Sequence, residues 1–229
     1  MAITFENQVF HLRGKTFSYV MKLGVDGILR HGYWGHRLPD DSVAALMQDP
    51  PEGASFDRAE SRIPYELPTQ EAGFYRTPAV AVRNAQGDDV VALRYVRHEI
   101  LAGKPALTGL PSSYAEDGDG AQTLIVTLAD PLTAVEVQAR YTVNPCFDVL
   151  ARSVTVRNGG REAVTLMDVQ SASVQLQGNA YDAIHLKGGW ARERTVTRAP
   201  FCGAGMTVES RRGASGHEEN PFLALCDPH

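Results

Sequence analysis

The sequence GGWARER at residues 188–194 contains the densest set of side chains that could take part in chemistry. Its pattern predicts a strand over residues 191–197 that places Trp190, Arg192 and Arg194 on one face and Glu193 on the other. Two guanidinium groups beside an indole favour anions or aromatic rings as neighbours. A cation–π and salt-bridge ladder inside an interface is the favoured interpretation, and contact with a substrate is the alternative.

The usual signatures of catalytic and metal sites are incomplete in this sequence. GASGH at 213–217 lacks the glycine spacing of a serine hydrolase, and DGDG at 117–120 lacks the other ligands of a calcium loop. The closest histidines, His31 and His36, lie at a strand end with a spacing that does not direct both rings to one metal. Between them, Tyr33 and Trp34 are suited either to stacking on a sugar or to filling a core. We therefore predict no metal and no cofactor.

Composition indicates a folded globular protein of 229 residues with a hydrophobic fraction of 43%. The net charge of -5 is spread along the chain, which argues against nucleic acid as a partner. The N-terminus lacks the pattern of a signal peptide and no stretch approaches ~20 apolar residues, so we predict a cytoplasmic protein without a membrane segment. Cys146, Cys202 and Cys226 are widely spaced with no C-x-x-C pair, and we predict buried thiols.

Period-two alternation runs along the chain, and no long window has an apolar stripe at helical spacing. The sequence predicts an all-β protein whose large antiparallel sandwich occupies one domain over residues 1–229. The segment 39–78 is broken by prolines and is expected to be an irregular interface or binding loop, with a short helical turn at 43–47. The predicted strands cover residues 9–12, 16–23, 28–34, 79–83, 90–100, 123–128, 133–143, 149–157, 163–177, 181–186, 191–197, 206–210 and 222–226.

Several stretches, in this order, resemble the N-terminal part of the α-galactosidases of glycoside hydrolase family 36. They cover nearly the whole chain, and they are FHL at 10–12, SYVM at 18–21, HGYWG at 31–35, FYRTPA at 74–79, GKPALTGLP at 103–111, DVLARS at 148–153, SAS at 171–173, WARER at 190–194 and RGASGHEENPF at 212–222.

The resemblance implies a β-supersandwich (the galactose-mutarotase-like fold) that precedes a (β/α)8 barrel with two catalytic aspartates and a C-terminal β-domain. Such an enzyme cleaves terminal α-1,6-galactosides of the melibiose and raffinose type with retention. This sequence has no βα repeat, and neither Trp34 nor Trp190 is followed by an aspartate, so we expect no catalytic residue in this chain and no activity from it alone. Its expected partners are the enzyme's own barrel, a galactoside and other copies of the chain in a tetramer.

The resemblance also implies that a sandwich loop reaches the active-site mouth of a neighbouring subunit. By their position in the irregular segment, Asp57 and Arg58 are the candidates for substrate contact. The candidates for an interface or for sugar stacking are Trp34, Trp190, Arg192, Arg194, His217 and Asn220.

Two alternatives remain at this point. One is a free-standing carbohydrate-binding or scaffold module, and the other is an aldose-epimerase-like enzyme, which rests on fold analogy alone. Under the α-galactosidase interpretation the strand at 222–226 belongs to the middle of a domain. We therefore expect an incomplete sandwich with an exposed edge beside that strand and a tendency to associate through it.

Overall fold

The computed structural model describes residues 1–43, 64–71, 76–109, 112–176, 178, 180–201 and 205–228. This part of the chain contains one short 3-10 helix, Asp40–Ser42, and thirteen strands. The strands are β1 (Ile3–Glu6), β2 (Val9–Arg13), β3 (Phe17–Leu23), β4 (Leu29–His36), β5 (Val80–Arg83), β6 (Arg94–Ala102), β7 (Gln122–Ala129), β8 (Val135–Asn144), β9 (Val149–Asn158), β10 (Thr165–Val169), β11 (Tyr181–Lys187), β12 (Thr195–Phe201) and β13 (Glu219–Cys226).

The chain forms two compact units, which we call the first unit (Met1–Gln175) and the second unit (Leu176–His229). The first unit has two four-stranded sheets, ordered β1-β2-β3-β4 and β6-β7-β8-β9, and the strand pair β10-β5. The second unit has a three-stranded sheet ordered β12-β11-β13. Every strand pair is antiparallel. The prediction of an antiparallel all-β fold is confirmed, and the single domain over 1–229 stays a prediction.

The core of the first unit is formed by the side chains on one face of its strands, because successive side chains along a strand point to opposite faces. On β8, Val135, Val137 and Tyr141 are buried, whereas Gln138 and Arg140 point to the other face and are only half-buried. The same cluster includes side chains from both four-stranded sheets and from β5. Burying each valine or leucine contributes about 1.5–3 kcal/mol, so this core is the main source of stability for the first unit.

Several strand boundaries differ from the predicted ones. β6 begins at Arg94, because Val91 N–H donates to Gln70 O at 3.0 Å and Ala92 N–H donates to an Asp130 carboxylate oxygen at 3.1 Å. The backbone of residues 91 and 92 is therefore bonded to a loop and a side chain instead of a neighbouring strand. β10 covers less of the chain than predicted, residues 206–210 form no strand, and β1 is not among the predicted strands.

The prediction of a strand beginning at residue 191 is wrong, because residues 188–194 form the loop between β11 and β12. Gly189 and Arg192 exchange backbone hydrogen bonds, and Ala191 and Arg194 have φ values of 61° and 58°. A Cβ on Gly188 would lie 2.4 Å from Arg192 O, so this position requires glycine. The shared strand face for Trp190, Arg192 and Arg194 does not exist.

β13 includes the predicted strand at 222–226 and extends it back to Glu219. It pairs with β11 on one side, and among the strands of the described ranges none pairs with its other edge. Residues 44–63 and 72–75 lie outside the described ranges, and so does most of the predicted helical turn at 43–47.

Candidate functional site

The most highly connected polar cluster in the first unit surrounds Glu66, whose side chain is fully buried. The segment that carries it is attached to β4: His31 N–H donates to Pro64 O at 2.6 Å, and Glu66 N–H donates to Leu29 O at 3.0 Å. Tyr65 also forms a bridge with Arg30. These backbone contacts turn the Glu66 carboxylate inward between the two four-stranded sheets.

Four side chains surround the Glu66 carboxylate. The hydroxyls of Tyr19 and Tyr141 donate to Oε1 at 2.6 and 3.0 Å, and His31 Nδ1 lies 2.9 Å from Oε2. Arg152 Nη2 is 2.7 Å from Oε1, and Arg152 Nη1 donates to the Tyr19 hydroxyl at 2.9 Å. Because these residues come from β3, β4, β8 and β9, a single carboxylate joins both sheets to the segment that begins at residue 64.

Inside this cluster the Glu66 carboxylate pairs with the Arg152 guanidinium, and the His31 ring lies beside them. His31 Nε2 lies 3.0 Å from Gln175 O, so both ring nitrogens lie within hydrogen-bond distance of an oxygen atom. The Arg152 guanidinium also lies over the Tyr141 ring at 4.9 Å. The Arg152 guanidinium and the His31 ring therefore flank one buried carboxylate.

The tyrosine and arginine pKa values follow from this environment. Burial, and then the Glu66 charge, raise the pKa of Tyr19 and of Tyr141 well above the ordinary value, so both stay protonated as donors. Burial acts to lower the pKa of Arg152, but the Glu66 charge and the tyrosines outweigh it and the pKa rises. Because the Glu66 carboxylate, both tyrosines and the His31 ring are buried, the cluster holds the fold together.

The Glu66 cluster was missed by the sequence reasoning, although one signal was available. On β9, Leu150, Val154 and Val156 pack against the core, and Arg152 occupies the same face. A charged residue in a period-two apolar row requires a buried partner of opposite charge. The β9 row therefore indicates a buried carboxylate partner for Arg152. The identity of that partner could not be read from the row.

A second polar site lies in the second unit, in an open cleft of about 460 Å³. Three of the predicted candidates, Arg194, His217 and Asn220, line it together with Glu193 and Ser215. Asn220 is held on β13 by donating from Nδ2 to Leu186 O at 3.4 Å. Hydrogen bonds from its own backbone N–H and from that of Ala191 lower the pKa of Glu193, which is therefore a carboxylate at neutral pH.

The remaining candidates are not gathered into this cleft. Trp190 is 88% exposed and Arg192 is exposed on the 188–194 loop, but neither lines the cleft. Trp34 lies on β4 of the first unit, 42% exposed, with its ring against that of Tyr19. Asp57 and Arg58 lie outside the described residues.

The cysteine prediction needs correction. Cys146 is exposed and Cys226 is half-buried, while Cys202 lies outside the described residues. Cys146 follows β8 in a turn, where its backbone N–H donates to the Asn144 side chain at 3.1 Å. In the described ranges, no cluster of three or more histidine, cysteine or carboxylate side chains is placed to hold a metal ion.

Comparison with known proteins identifies the family. The Glycosyl hydrolase family 36 N-terminal domain matches residues 27–229, which is most of the chain. The chain belongs to glycosyl hydrolase family 36. The family 36 resemblance predicted from the sequence is therefore confirmed.

The relatives of this family 36 chain are much longer than the chain itself. It is 38% identical to alpha-galactosidase AgaA of Geobacillus stearothermophilus over 98% of the chain and 32% of the relative. It is also 38% identical to alpha-galactosidase Mel36A of Lactobacillus acidophilus, over 97% of the chain and 31% of the relative. The chain thus spans about a third of the length of these relatives, as their N-terminal portion.

Solved structures agree with this assignment. The crystal structure of AgaA matches with a TM-score of 0.89 at 37% identity, over 96% of this chain and 32% of AgaA. The alpha-galactosidase of Lactobacillus brevis matches with a TM-score of 0.88 at 31% identity, over 96% of this chain and 31% of that protein. The family 36 chain therefore has the β-fold of these N-terminal regions. Its described helices include none with the length and apolarity to cross a membrane.

Proposed function

We propose that this chain is the non-catalytic N-terminal part of a retaining α-galactosidase that hydrolyses terminal α-1,6-linked galactosides. The observation that carries the proposal is the coverage: 98% of this chain, but only 32% of the α-galactosidase AgaA, lies in the alignment. A variant of AgaA has been crystallised with raffinose, which supports an α-1,6-galactoside as the substrate class. In this proposal the catalytic aspartates belong to a barrel outside the chain, and the chain supports that barrel and the oligomer.

We further propose that the cleft of the second unit contributes polar contacts to a saccharide. Glu193, Arg194, His217 and Asn220 offer a carboxylate, a guanidinium, an imidazole and an amide on one open surface. These groups match the donors and acceptors of sugar hydroxyls. Asp57 and Arg58 stay predictions for contact with substrate in a neighbouring subunit.

The main test is to assay the 229-residue chain on a nitrophenyl α-galactoside and to read the gene beyond codon 229. We expect no turnover above background and an open frame that continues into a (β/α)8 pattern. Enzyme-like turnover by the chain alone would contradict the assignment as non-catalytic. A stop codon after codon 229 would contradict the longer parent.

A carbohydrate-binding module is the second candidate, because the Trp190 indole is 88% exposed on a loop. Exposed aromatic rings stack well on sugar faces. Calorimetric titration with galactose and raffinose separates the two functions, since the α-galactosidase proposal expects no micromolar binding by this chain alone. Micromolar binding that Trp190→Ala abolishes and Trp34→Ala leaves unchanged would favour the module.

A further inference from the structure

The outer face of the sheet β6-β7-β8-β9 carries an arginine without a partner. Arg140 lies on β8 between Ala139 and Tyr141, which are buried in the core, so its own side chain is on the opposite face. Its Nε is buried and has no hydrogen-bond partner. No described carboxylate forms an ion pair with it, in contrast to Arg152 on the neighbouring strand. A half-buried guanidinium left in this state is costly unless an anion pairs with it.

Arg140 lines a pocket of about 100 Å³ that contains a second cation and no carboxylate. Lys104 approaches from the segment that follows β6, within the GKPALTGLP run noted in the sequence. Hydroxyl groups supply most of the other polar lining. The complete lining is Lys104, Pro105, Leu107, Ser112, Ser113, Thr123, Arg140, Thr142, Ala151, Arg152 and Ser153.

Some of these polar groups already have partners within the protein. Thr123 Oγ1 donates to Gly103 O at 2.8 Å, which makes the Thr142 hydroxyl, 2.8 Å from Thr123 Oγ1, the donor of that second bond. Ser112 Oγ accepts from Lys104 Nζ and donates to Ser113 O at 3.1 Å. The two threonines and Ser112 therefore form a fixed polar wall with no hydrogen left to donate.

Besides the hydroxyls of Ser113 and Ser153, the groups that remain are hydrogen-bond donors that carry a positive charge. The guanidinium of Arg140 has five N–H donors, and Lys104 has two left after its bond to Ser112. Arg152 also borders the pocket, but its guanidinium is held by Glu66 and Tyr19. The unmatched donors of Arg140 and Lys104 therefore face a cavity with no protein anion in its lining.

We propose that this pocket binds the phosphoryl group of inorganic phosphate or of a phosphate monoester. Arginine matches a phosphate with parallel N–H···O bonds, and lysine adds a point charge. A volume of about 100 Å³ equals roughly three water molecules, which admits one tetrahedral oxyanion and leaves any ester substituent outside. Arg152 is the one residue of the Glu66 cluster that borders this pocket, and its guanidinium is paired with Glu66. The proposed phosphate site does not depend on the proposed α-galactosidase function.

The test is calorimetric titration of the 229-residue chain with inorganic phosphate and, separately, with glucose 6-phosphate. Sodium chloride keeps the ionic strength constant, because exposed charges are screened by salt. We expect saturable binding of one phosphate per chain, and about tenfold or greater weakening by Arg140→Gln and by Lys104→Gln, since each removes charged hydrogen bonds. Arg157→Gln removes the same charge from an exposed position of β9 outside the pocket, and should bind as the wild type does.

The two ligands distinguish the source of the phosphoryl group. Binding of glucose 6-phosphate in competition with phosphate supports a site for esters, and binding of phosphate alone supports a site for the free ion. The proposal is overturned if neither ligand binds saturably, or if Arg157→Gln weakens binding as much as Arg140→Gln does. Circular dichroism and thermal melting report folding of each variant. If Arg140→Gln does not fold, the proposal is tested with Lys104→Gln, because Lys104 lies on a surface segment.

Discussion

Each unit of the chain contains a buried histidine beside a glutamate, and the two pairs are built differently. In the first unit, His31 and Glu66 are both buried, and Glu66 also accepts from two tyrosine hydroxyls and pairs with the Arg152 guanidinium, whose Nη2 lacks the alignment of a hydrogen bond. In the second unit, His185 is buried, but Glu219 is 28% exposed. His185 Nε2 lies 2.8 Å from Glu219 Oε2 without the alignment of a hydrogen bond, and His185 Nδ1 has no partner.

The difference follows the distribution of apolar burial. The first unit has a contiguous core that includes side chains of both four-stranded sheets, whereas the buried residues among the described part of the second unit are Ala183 and His185. A low-dielectric interior strengthens hydrogen bonds and ion pairs, and a buried charged group has no water to replace a lost partner. We therefore expect the same glutamate substitution to have very different effects in the two units.

The largest effect is expected from Glu66→Gln. This substitution keeps the shape of the side chain but leaves the buried Arg152 guanidinium without a carboxylate, and should lower the free energy of unfolding by about 3–5 kcal/mol. Urea unfolding followed by circular dichroism measures it. As a control, Glu136→Gln removes a carboxylate 3.9 Å from Arg97 on a partly exposed surface and should cost about 0.5 kcal/mol or less.

A double-mutant cycle sharpens this prediction. Arg152→Met combined with Glu66→Gln should cost less than the sum of the two single substitutions, because each single change leaves the other charge unpaired. An unfolding free energy within about 1 kcal/mol of the wild type for Glu66→Gln would contradict the view that this network holds the sheets together.

The Glu66 cluster also shows which features of the structure could be predicted from the sequence and which could not. Alternation on β8 predicted a strand with a buried face, because period-two burial is a local property. The partners of Glu66 lie far away in the chain: Tyr19 is 47 residues before it and Tyr141 is 75 residues after it. Contacts of that range depend on how the sheets pack, so a glutamate in a proline-rich segment gave no sign of its position.

The loop at 188–194 shows a second limit of predicting structure from sequence, which concerns local backbone conformation. Its residue types look like a strand, but Gly188 is placed where a Cβ would meet Arg192 O, and Ala191 adopts positive φ. Positive φ at an alanine is not foreseen by propensity, since it is imposed by closing the connection between β11 and β12. Three of the candidates predicted from the sequence, Arg194, His217 and Asn220, nevertheless lie in one cleft of the fold.

A smaller effect is expected from Glu219→Gln in the second unit. The carboxylate is partly exposed and is shared between His185 and Lys187, whose Nζ lies 3.3 Å from Oε1. Solvent screens such a pair, so the substitution should cost about 1 kcal/mol or less. Hydrogen exchange of the β11 and β13 amides measures the local change. A cost equal to that of Glu66→Gln would remove the contrast between the two units.

The smallest effect is expected from a third histidine, His11, whose carboxylate partner Asp40 is exposed on the surface. His11 Nδ1 lies 3.3 Å from Asp40 Oδ1, and Nε2 is 2.8 Å from Ser18 Oγ. Burial, and then the charge of Arg13, lower the pKa of His11 below 6.5, with Arg37 adding to this and Asp40 opposing it. His11 is therefore neutral in the folded state where the unfolded chain already binds a proton.

The lowered pKa of His11 determines the sign of the pH dependence of stability. Where the unfolded state binds more protons, stability rises with pH, so the contribution of His11 is fully present above pH 6.5 and is lost as the pH falls toward its folded-state pKa. His11→Gln keeps a polar group near Ser18 and should flatten the fall of the urea midpoint below pH 6.5. A residual slope is expected from His98, whose pKa is also lowered by burial. An unchanged slope in His11→Gln would mean that folding does not change the pKa of His11, which would contradict the prediction.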